Sequence, residues 1–177
     1  MEHLPLTRVT NIKLSAKLDK KFYLKELRRI LSKEKIEATI KNNLLVIRHT
    51  YVYVLFSSGH VNITGVRSMM LVQDSIKTLE SILHLKNNII SITIDNISAA
   101  ADVKKPVNLY QLAQKNIQNV TIRFNLEKFP GLFFTTKHGT AIVFSSGKII
   151  VIGVKQVVQA EECIEKLWRA LHVHTKM

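Results

Sequence analysis

Side chains able to do covalent chemistry are scattered through this sequence. Asp19, Asp74, Asp95 and Asp102 show no paired-carboxylate spacing, so general acid–base catalysis has no motif to rest on. Ser57-Ser58 and Ser145-Ser146 lack the preceding glycine of a nucleophile elbow. The 7 histidines have no metal-ligand spacing, and His172-x-His174 near the end reads as a solvated tail. Cys163 is the only cysteine, which excludes a disulfide or a thiolate metal cluster and suits a reducing, intracellular compartment. Beside Ile164 it reads as a small buried residue of a helix. The expectation is a protein that is not an enzyme and needs no cofactor or metal. The chemistry that remains is non-covalent. Across 177 residues, 26 Lys and Arg face 13 Asp and Glu, a formal charge of +13. Such an excess implies a polyanionic partner: nucleic acid first, an anionic membrane surface second. No run of about 18 apolar residues exists to span a membrane, and Met1 to Arg8 holds no apolar signal segment.

The second source of information is repetition. Phe56-Ser57-Ser58-Gly59 recurs as Phe144-Ser145-Ser146-Gly147, and an offset of 88 also carries Gly65 onto Gly153, Ile76 onto Ile164, Leu79 onto Leu167 and Leu83 onto Leu171. An offset of 85 carries Asn11-Ile12 onto Asn96-Ile97, Ala16 onto Ala101, Leu24 onto Leu109 and Leu27 onto Leu112. The chain is therefore a tandem duplication. We place the repeats at residues 8–86 and 87–174, with Lys86-Asn87-Asn88 as the whole joint.

Periodicity gives each repeat the order β-α-β-β-β-β-α. Val9 to Leu18 alternates as a strand. Asp19 is a candidate N-cap for a helix carrying Phe22, Leu24, Leu27, Ile30 and Leu31 at helical spacing, with Lys20, Lys21, Lys25, Arg28 and Arg29 on its other face. Ile36–Ile40, Leu44–Arg48, Tyr51–Ser57 and Val61–Val66 are short apolar runs separated by Asn42-Asn43, His49-Thr50 and Ser58-Gly59, the pattern of an antiparallel meander. Met69 to Leu85 is an amphipathic helix. The second repeat reads Ile89–Ala101, a short helix Pro106–Gln114, strands Val120–Phe124, Leu132–Thr136, Thr140–Ser145 and Ile149–Val154, and a closing helix Val157–Leu171 with Val158 turned inward. Tyr51 to Phe56 and Ile149 to Val154 are apolar at nearly every position. Helices can cover one face of such strands, and something else must cover the other. On a strongly basic protein that uncovered face suits a wide, flattened groove, or a second copy of the chain.

These residues resemble the TATA-box-binding protein family over essentially the whole chain, from about Val9 to Leu171. The strongest pieces are Phe129-Pro130-Gly131-Leu132 followed by Phe144-Ser145-Ser146-Gly147-Lys148, and Asp95-Asn96-Ile97 followed by Asp102-Val103-Lys104. First-half echoes are Asn11-Ile12, Lys17-Leu18-Asp19, Phe56-Ser57-Ser58-Gly59 and Thr64-Gly65. The resemblance implies an α+β fold in which two pseudo-symmetric repeats form one curved antiparallel sheet, a saddle with helices on its convex face. It also implies a general transcription initiation factor. Such a factor binds the minor groove of A·T-rich, TATA-like promoter DNA through the concave face, bends it by phenylalanine insertion, and nucleates a preinitiation complex. A diverged member acting mainly as an interaction platform for transcription factors, with weak or sequence-blind DNA binding, is the alternative.

Carried over by position, Asn11 and Asn96 match the central asparagines whose amides donate to base acceptors. Phe129 and Phe144 match the wedge of the second half and Phe56 the inner wedge of the first. Val54 and Ile142 lie beside these rings, with Leu44 and Leu132 on the neighbouring strand. Thr64 keeps the family's threonine before glycine, and Arg67, Lys148 and Lys155 fall at basic positions that meet phosphates. Departures are Lys41 at the outer first-half wedge, Lys13 and Ser98 two residues past the central asparagines, Ile152 in place of a threonine, and His60 in place of a lysine. They imply an asymmetric saddle. Implied partners are double-stranded A·T-rich DNA, a transcription factor IIB-like protein at Glu127 and Lys128, a IIA-like protein at Lys17 to Arg29, and the RNA polymerase machinery. The free chain could form a homodimer. The implied location is the nucleus in a eukaryote, or the cytoplasm in an archaeon or for a cytoplasmic virus.

Overall fold

The computed structural model of the chain describes residues 3–172; His174 and the expected end of the second repeat lie outside them. The first repeat contributes β1 (Arg8–Leu18), α1 (Leu24–Lys33), β2 (Glu37–Lys41), β3 (Leu44–Arg48), β4 (Val52–Leu55), β5 (His60–Val66), a 3-10 turn (Met69–Leu71) and α2 (Val72–Ile82). The second contributes β6 (Ile89–Asp102), α3 (Leu109–Ala113), β7 (Thr121–Arg123), β8 (Gly131–Thr135), β9 (Thr140–Phe144), β10 (Lys148–Val154) and α4 (Val157–His172). The class is α+β, and the element order is the one the periodicities dictate.

Packing divides the described residues into two compact units, one of residues 11–95 and one of residues 96–172 together with residues 3–10. Strand order within the first repeat is β2-β3-β4-β5-β1, and within the second β7-β8-β9-β10-β6, the same arrangement twice. The ladders within each are antiparallel.

Each unit has its own core. In the first, Ile12, Leu14, Ala16 and Leu18 of β1 alternate inward with Leu45, Ile47, Tyr53, Leu55, Val61 and Ile63, and Ile76, Leu79 and Ile82 of α2 are buried too. Tyr53 is fully buried, and its hydroxyl donates to Ser75 O at 2.9 Å, so the ring brings its polar end a partner. In the second unit Ile97, Ala99, Leu132, Phe134, Val143, Ile149 and Val151 are buried, as are Ala160, Cys163, Ile164 and Leu167 of α4.

The Phe-Ser-Ser-Gly repeat has a backbone role in both units. Leu18 N donates to Gly59 O and Phe22 N to Ser57 O, while Val103 N donates to Gly147 O and Val107 N to Ser145 O. Each turn thus clamps the segment that leaves the first strand of its repeat. A Cβ on Gly59 would lie 2.2 Å from Lys20 O, and one on Gly147 2.3 Å from Lys105 O, so only glycine fits.

The same clamp corrects two helix starts. Phe22, whose N–H donates to Ser57 O, stays outside α1, which begins at Leu24 with Tyr23 at its N-cap and no capping side chain; Asp19 caps nothing and its N–H donates to Asn88 O. Val107, held by Ser145, keeps Pro106 outside α3, which starts at Leu109 behind Asn108, whose Oδ1 accepts from Gln111 N at 3.0 Å. Val158 is half exposed, against expectation, and Cys163 and Ile164 together take the inward positions. No helix among the described residues is long and apolar enough to cross a membrane.

Candidate nucleic-acid interface

Strand alternation sends one set of side chains to the helix-packed core and the other to the opposite face of each ladder. In the first unit that open face carries Leu44, Val46, Val52, Val54 and Phe56, all partly exposed. In the second it carries Phe129, Phe133, Ile142 and Phe144, with Ile150 and Ile152 at 39% and 38% exposure. Large apolar side chains left to solvent this way mark a surface that binds something.

Three rings gather in the second unit. Phe129 lies 5.2 Å from Phe133 and 6.0 Å from Phe144, centroid to centroid. The cluster is built over Gly131, where a Cβ would approach the Phe129 ring to 2.7 Å and Ile142 to 3.0 Å. Phe129 sits in the loop between β7 and β8, shaped by Asn125. The Asn125 side-chain oxygen accepts from the N–H groups of Glu127 and Lys128, and its carbonyl accepts from Phe129 N at 3.0 Å. Glu127 and Lys128 are exposed on that loop.

Two expected positions change. Leu132 is fully buried against the helices and does not join the open face. Phe133 pairs with Ile142, whereas the equivalent pair in the first unit is Val46 with Val54, so β8 runs one residue out of step with the offset of 88. Phe133 takes the exposed place. Lys41 likewise does not stand in for Phe129. It pairs with Leu44 across the two-residue turn Asn42-Asn43, both left-handed at φ 51° and 59°, and the loop that bears Phe129 has no first-unit counterpart.

The asparagines occupy equivalent settings. Asn11 Oδ1 accepts from Gly65 N at 2.8 Å and from Thr64 Oγ1 at 3.2 Å; Asn96 Oδ1 accepts from Gly153 N at 2.9 Å. A backbone N–H only donates, so the atom it meets must be the amide oxygen, and the NH2 group points away. Asn96 Nδ2 has only a long approach to Ser98 Oγ, 3.4 Å, and Asn11 Nδ2 has no protein acceptor among the described residues. Both glycines sit where the ladder shifts register, at φ +91° and +81°, a bulge geometry that turns their N–H groups toward the asparagines. Thr64 therefore acts by fixing Asn11. Ile152 leaves Asn96 without that second support.

Charge surrounds these groups. Arg67, Lys148 and Lys155 are exposed, as is Lys13 on the first-unit face. An open groove of about 830 Å³ in the second unit is lined by Arg8, Asp102, Pro130, Phe144, Lys148 and Ile150. The Lys104 backbone N–H, aided by the Lys104 side chain and the Lys148 charge, holds the Asp102 carboxyl below its usual range. Arg123 lies 5.8 Å over the Phe133 ring. Ser15 Oγ donates to Asp95 Oδ2 at 2.5 Å. Among the described residues no three His, Cys, Asp or Glu side chains are placed to hold a metal ion.

What the face can do follows from these parts: amide donors at the strands next to the bulges, apolar side chains around them, and cations outside. Phe133, Val46, Val52, Ile150 and Arg123 belong to it and were missed. Counting alternate residues back from Phe56 marks Val52 and Val46, and on from Phe144 marks Ile150, whereas Phe133 lies an odd number of residues from Phe144 and follows only from the ladder pairing.

Comparison with known proteins places this geometry. The family model described as Transcription factor TFIID (or TATA-binding protein, TBP) matches residues 7–85 and 91–174. A TATA-box-binding protein of Methanothrix thermoacetophila is 34% identical over 118 residues, 62% of this chain and 63% of that one. One from Thermoplasma volcanium is 29% identical over 125 residues, 67% of each chain. The solved structure of Methanococcus jannaschii TBP has the same fold, with a TM-score of 0.77 at 24% identity, over 94% of this chain and 98% of that one.

Proposed function

The chain belongs to the TATA-binding protein family, and from that premise we propose that it is a general transcription initiation factor that binds A·T-rich promoter DNA in the minor groove, bends it and seats the transcription machinery. The observation that carries this reading is the pair Asn11 and Asn96, each with its oxygen tied to a bulge N–H and its NH2 turned out onto an apolar face.

In the minor groove an A·T pair offers only the acceptors A N3 and T O2, while G·C adds the guanine amino donor. Amide NH2 groups can donate to those acceptors. The valines, Leu44, Ile142 and Ile150 can lie against an A·T floor but would strand a guanine amino group without an acceptor. Phe129, Phe133, Phe144 and Phe56 then supply wedges between base steps, which kink a duplex toward the major groove. Flexible pyrimidine–purine steps lower the cost of that deformation. Arg67, Lys148 and Lys155 would meet phosphates and add affinity without sequence information. No step of this action requires catalysis.

The repeats 8–86 and 87–174 are the two reading halves. The exposed loop at Glu127 and Lys128 is proposed to receive a IIB-like factor and the basic stretch from Lys17 to Arg29 a IIA-like one, through which the polymerase is recruited. Without DNA the same apolar faces would support self-association. The archaeal relatives make the cytoplasm the proposed place of action.

The test is binding to a TATA-containing duplex and to a G·C-rich duplex, each with donor and acceptor dyes at its ends, over a range of salt. Preference for the TATA duplex with shortening of its end-to-end distance is expected. Weak binding that ignores sequence and falls steeply with salt would mean phosphate attraction alone.

A further inference from the structure

We propose that this chain kinks its duplex sharply at one end of the site only, with Phe129, Phe133 and Phe144 as the wedge, and so takes its direction on an A·T-rich site from the position of the flexible base step. The inference rests on the reading of DNA binding given above and concerns how the two halves divide that work.

The halves differ in wedge construction, not in degree of exposure. In the second unit three rings support one another at 5.2 and 6.0 Å, and Gly131 clears the floor beneath them. A ring braced by two others stays in place while the bases on either side are pushed apart. In the first unit the positions of Phe133 and Ile142 are Val46 and Val54. Leu44, by its place in the ladder, stands where Gly131 lies, so the floor is filled. The loop that would carry a counterpart of Phe129 is reduced to Asn42-Asn43, closed by the pairing of Lys41 with Leu44. Phe56 is the one aromatic ring on that face, and it has no ring partner among the described residues.

Opening a base step costs stacking, and the intruding side chain must replace it. Three flat rings can cover the exposed base faces; valines and a single unbraced ring cover less. The first unit keeps what is needed to lie along an unopened groove: Asn11, Val46, Val52 and Val54. A site whose flexible pyrimidine–purine step is at one end will therefore seat the second unit at that end.

The test uses A·T-rich duplexes with a single flexible TA step at one end and an A-tract at the other, carrying 2-aminopurine at either end step. Fluorescence is expected to rise at the TA step alone. A cleavage reagent tethered at Lys41→Cys, with Cys163 buried and unreactive, should cut near the A-tract, and moving the TA step to the other end should reverse the cutting. Phe129→Ala and Phe133→Ala should each weaken binding by about tenfold or more and remove the fluorescence rise, against about threefold or less for Phe56→Ala. Val46→Phe should raise fluorescence at the second end. Equal fluorescence at both end steps, or cutting that ignores the TA step, overturns the proposal while leaving A·T binding intact. Loss of A·T preference itself would overturn the functional reading and this inference with it.

Discussion

The amides of Asn11 and Asn96 owe their direction to glycine. The bulge N–H groups of Gly65 and Gly153 claim the side-chain oxygens, so what each asparagine shows to a partner is settled before the partner arrives. Asn96→Asp separates the two ends of the side chain. The carboxylate keeps the acceptor for Gly153 N–H but loses both donors and sets a negative charge where base acceptors would sit. Binding to a TATA duplex should fall by at least about tenfold, from one lost donor pair and the added repulsion, while the melting temperature stays close to that of the parent. A fall in melting temperature that matched the loss of affinity would show that Asn96 serves the fold alone.

The clamp made by each Phe-Ser-Ser-Gly turn links the end of the open face to the segment that starts the helix. Adding a methyl at Gly147 forces Lys105 O away by close to an ångström, because the new atom would sit 2.3 Å from it. We expect Gly147→Ala to cost about 2 kcal/mol or more, from the clash and the left-handed backbone together, and Gly59→Ala to cost a similar amount for the same reason. Denaturant unfolding of the two variants measures both. This pair also shows what was readable in advance. The duplicated Phe-Ser-Ser-Gly made Phe56 and Phe144 stand out and fixed the strand meander, since a repeated turn with a repeated flank is visible in letters. Phe133 was not readable through a constant offset, because the repeats differ in loop length between β7 and β8 and again before β9, and each change moves the register by residues that leave no mark in composition. The starts of α1 and α3 were misplaced for a related reason: Phe22 and Val107 follow a helical pattern, but a hydrogen bond from a distant turn overrides it. Pairing of asparagine oxygen with bulge N–H likewise depends on contacts more than fifty residues apart in sequence.

At the level of the whole chain, charge and burial make two demands of opposite kind. A formal charge of +13 favours association with any polyanion, so affinity for DNA should drop steeply as salt rises even where sequence preference persists. Burial sets the alkaline limit of stability. Desolvation pushes the Cys163 thiol above its ordinary value of 9.0, and burial raises the Tyr53 phenol above 10.0. Both groups stay protonated in the folded chain when the unfolded chain would release their protons. Their contribution is therefore complete below about pH 9 and is lost as pH rises beyond it. Chemical denaturation at pH 8 and pH 10.5 should show the decline, and Cys163 should resist alkylation at pH 8 until the chain unfolds; rapid alkylation of the native protein would contradict its burial.

The division of the chain into units also bears on the order in which the protein is made. Residues 3–10 pack with residues 96–172, and Thr10 Oγ1 donates to Ser98 O at 3.1 Å. During synthesis residues 3–10 thus find their place only after residues beyond 96 have followed. Residues 11–95 can close on themselves while residues 3–10 wait for the segment beyond 96. Dividing the chain between the repeats would part the second repeat from residues 8–10 of β1, which pack with it, and that repeat alone is expected to unfold at lower denaturant than the joined chain.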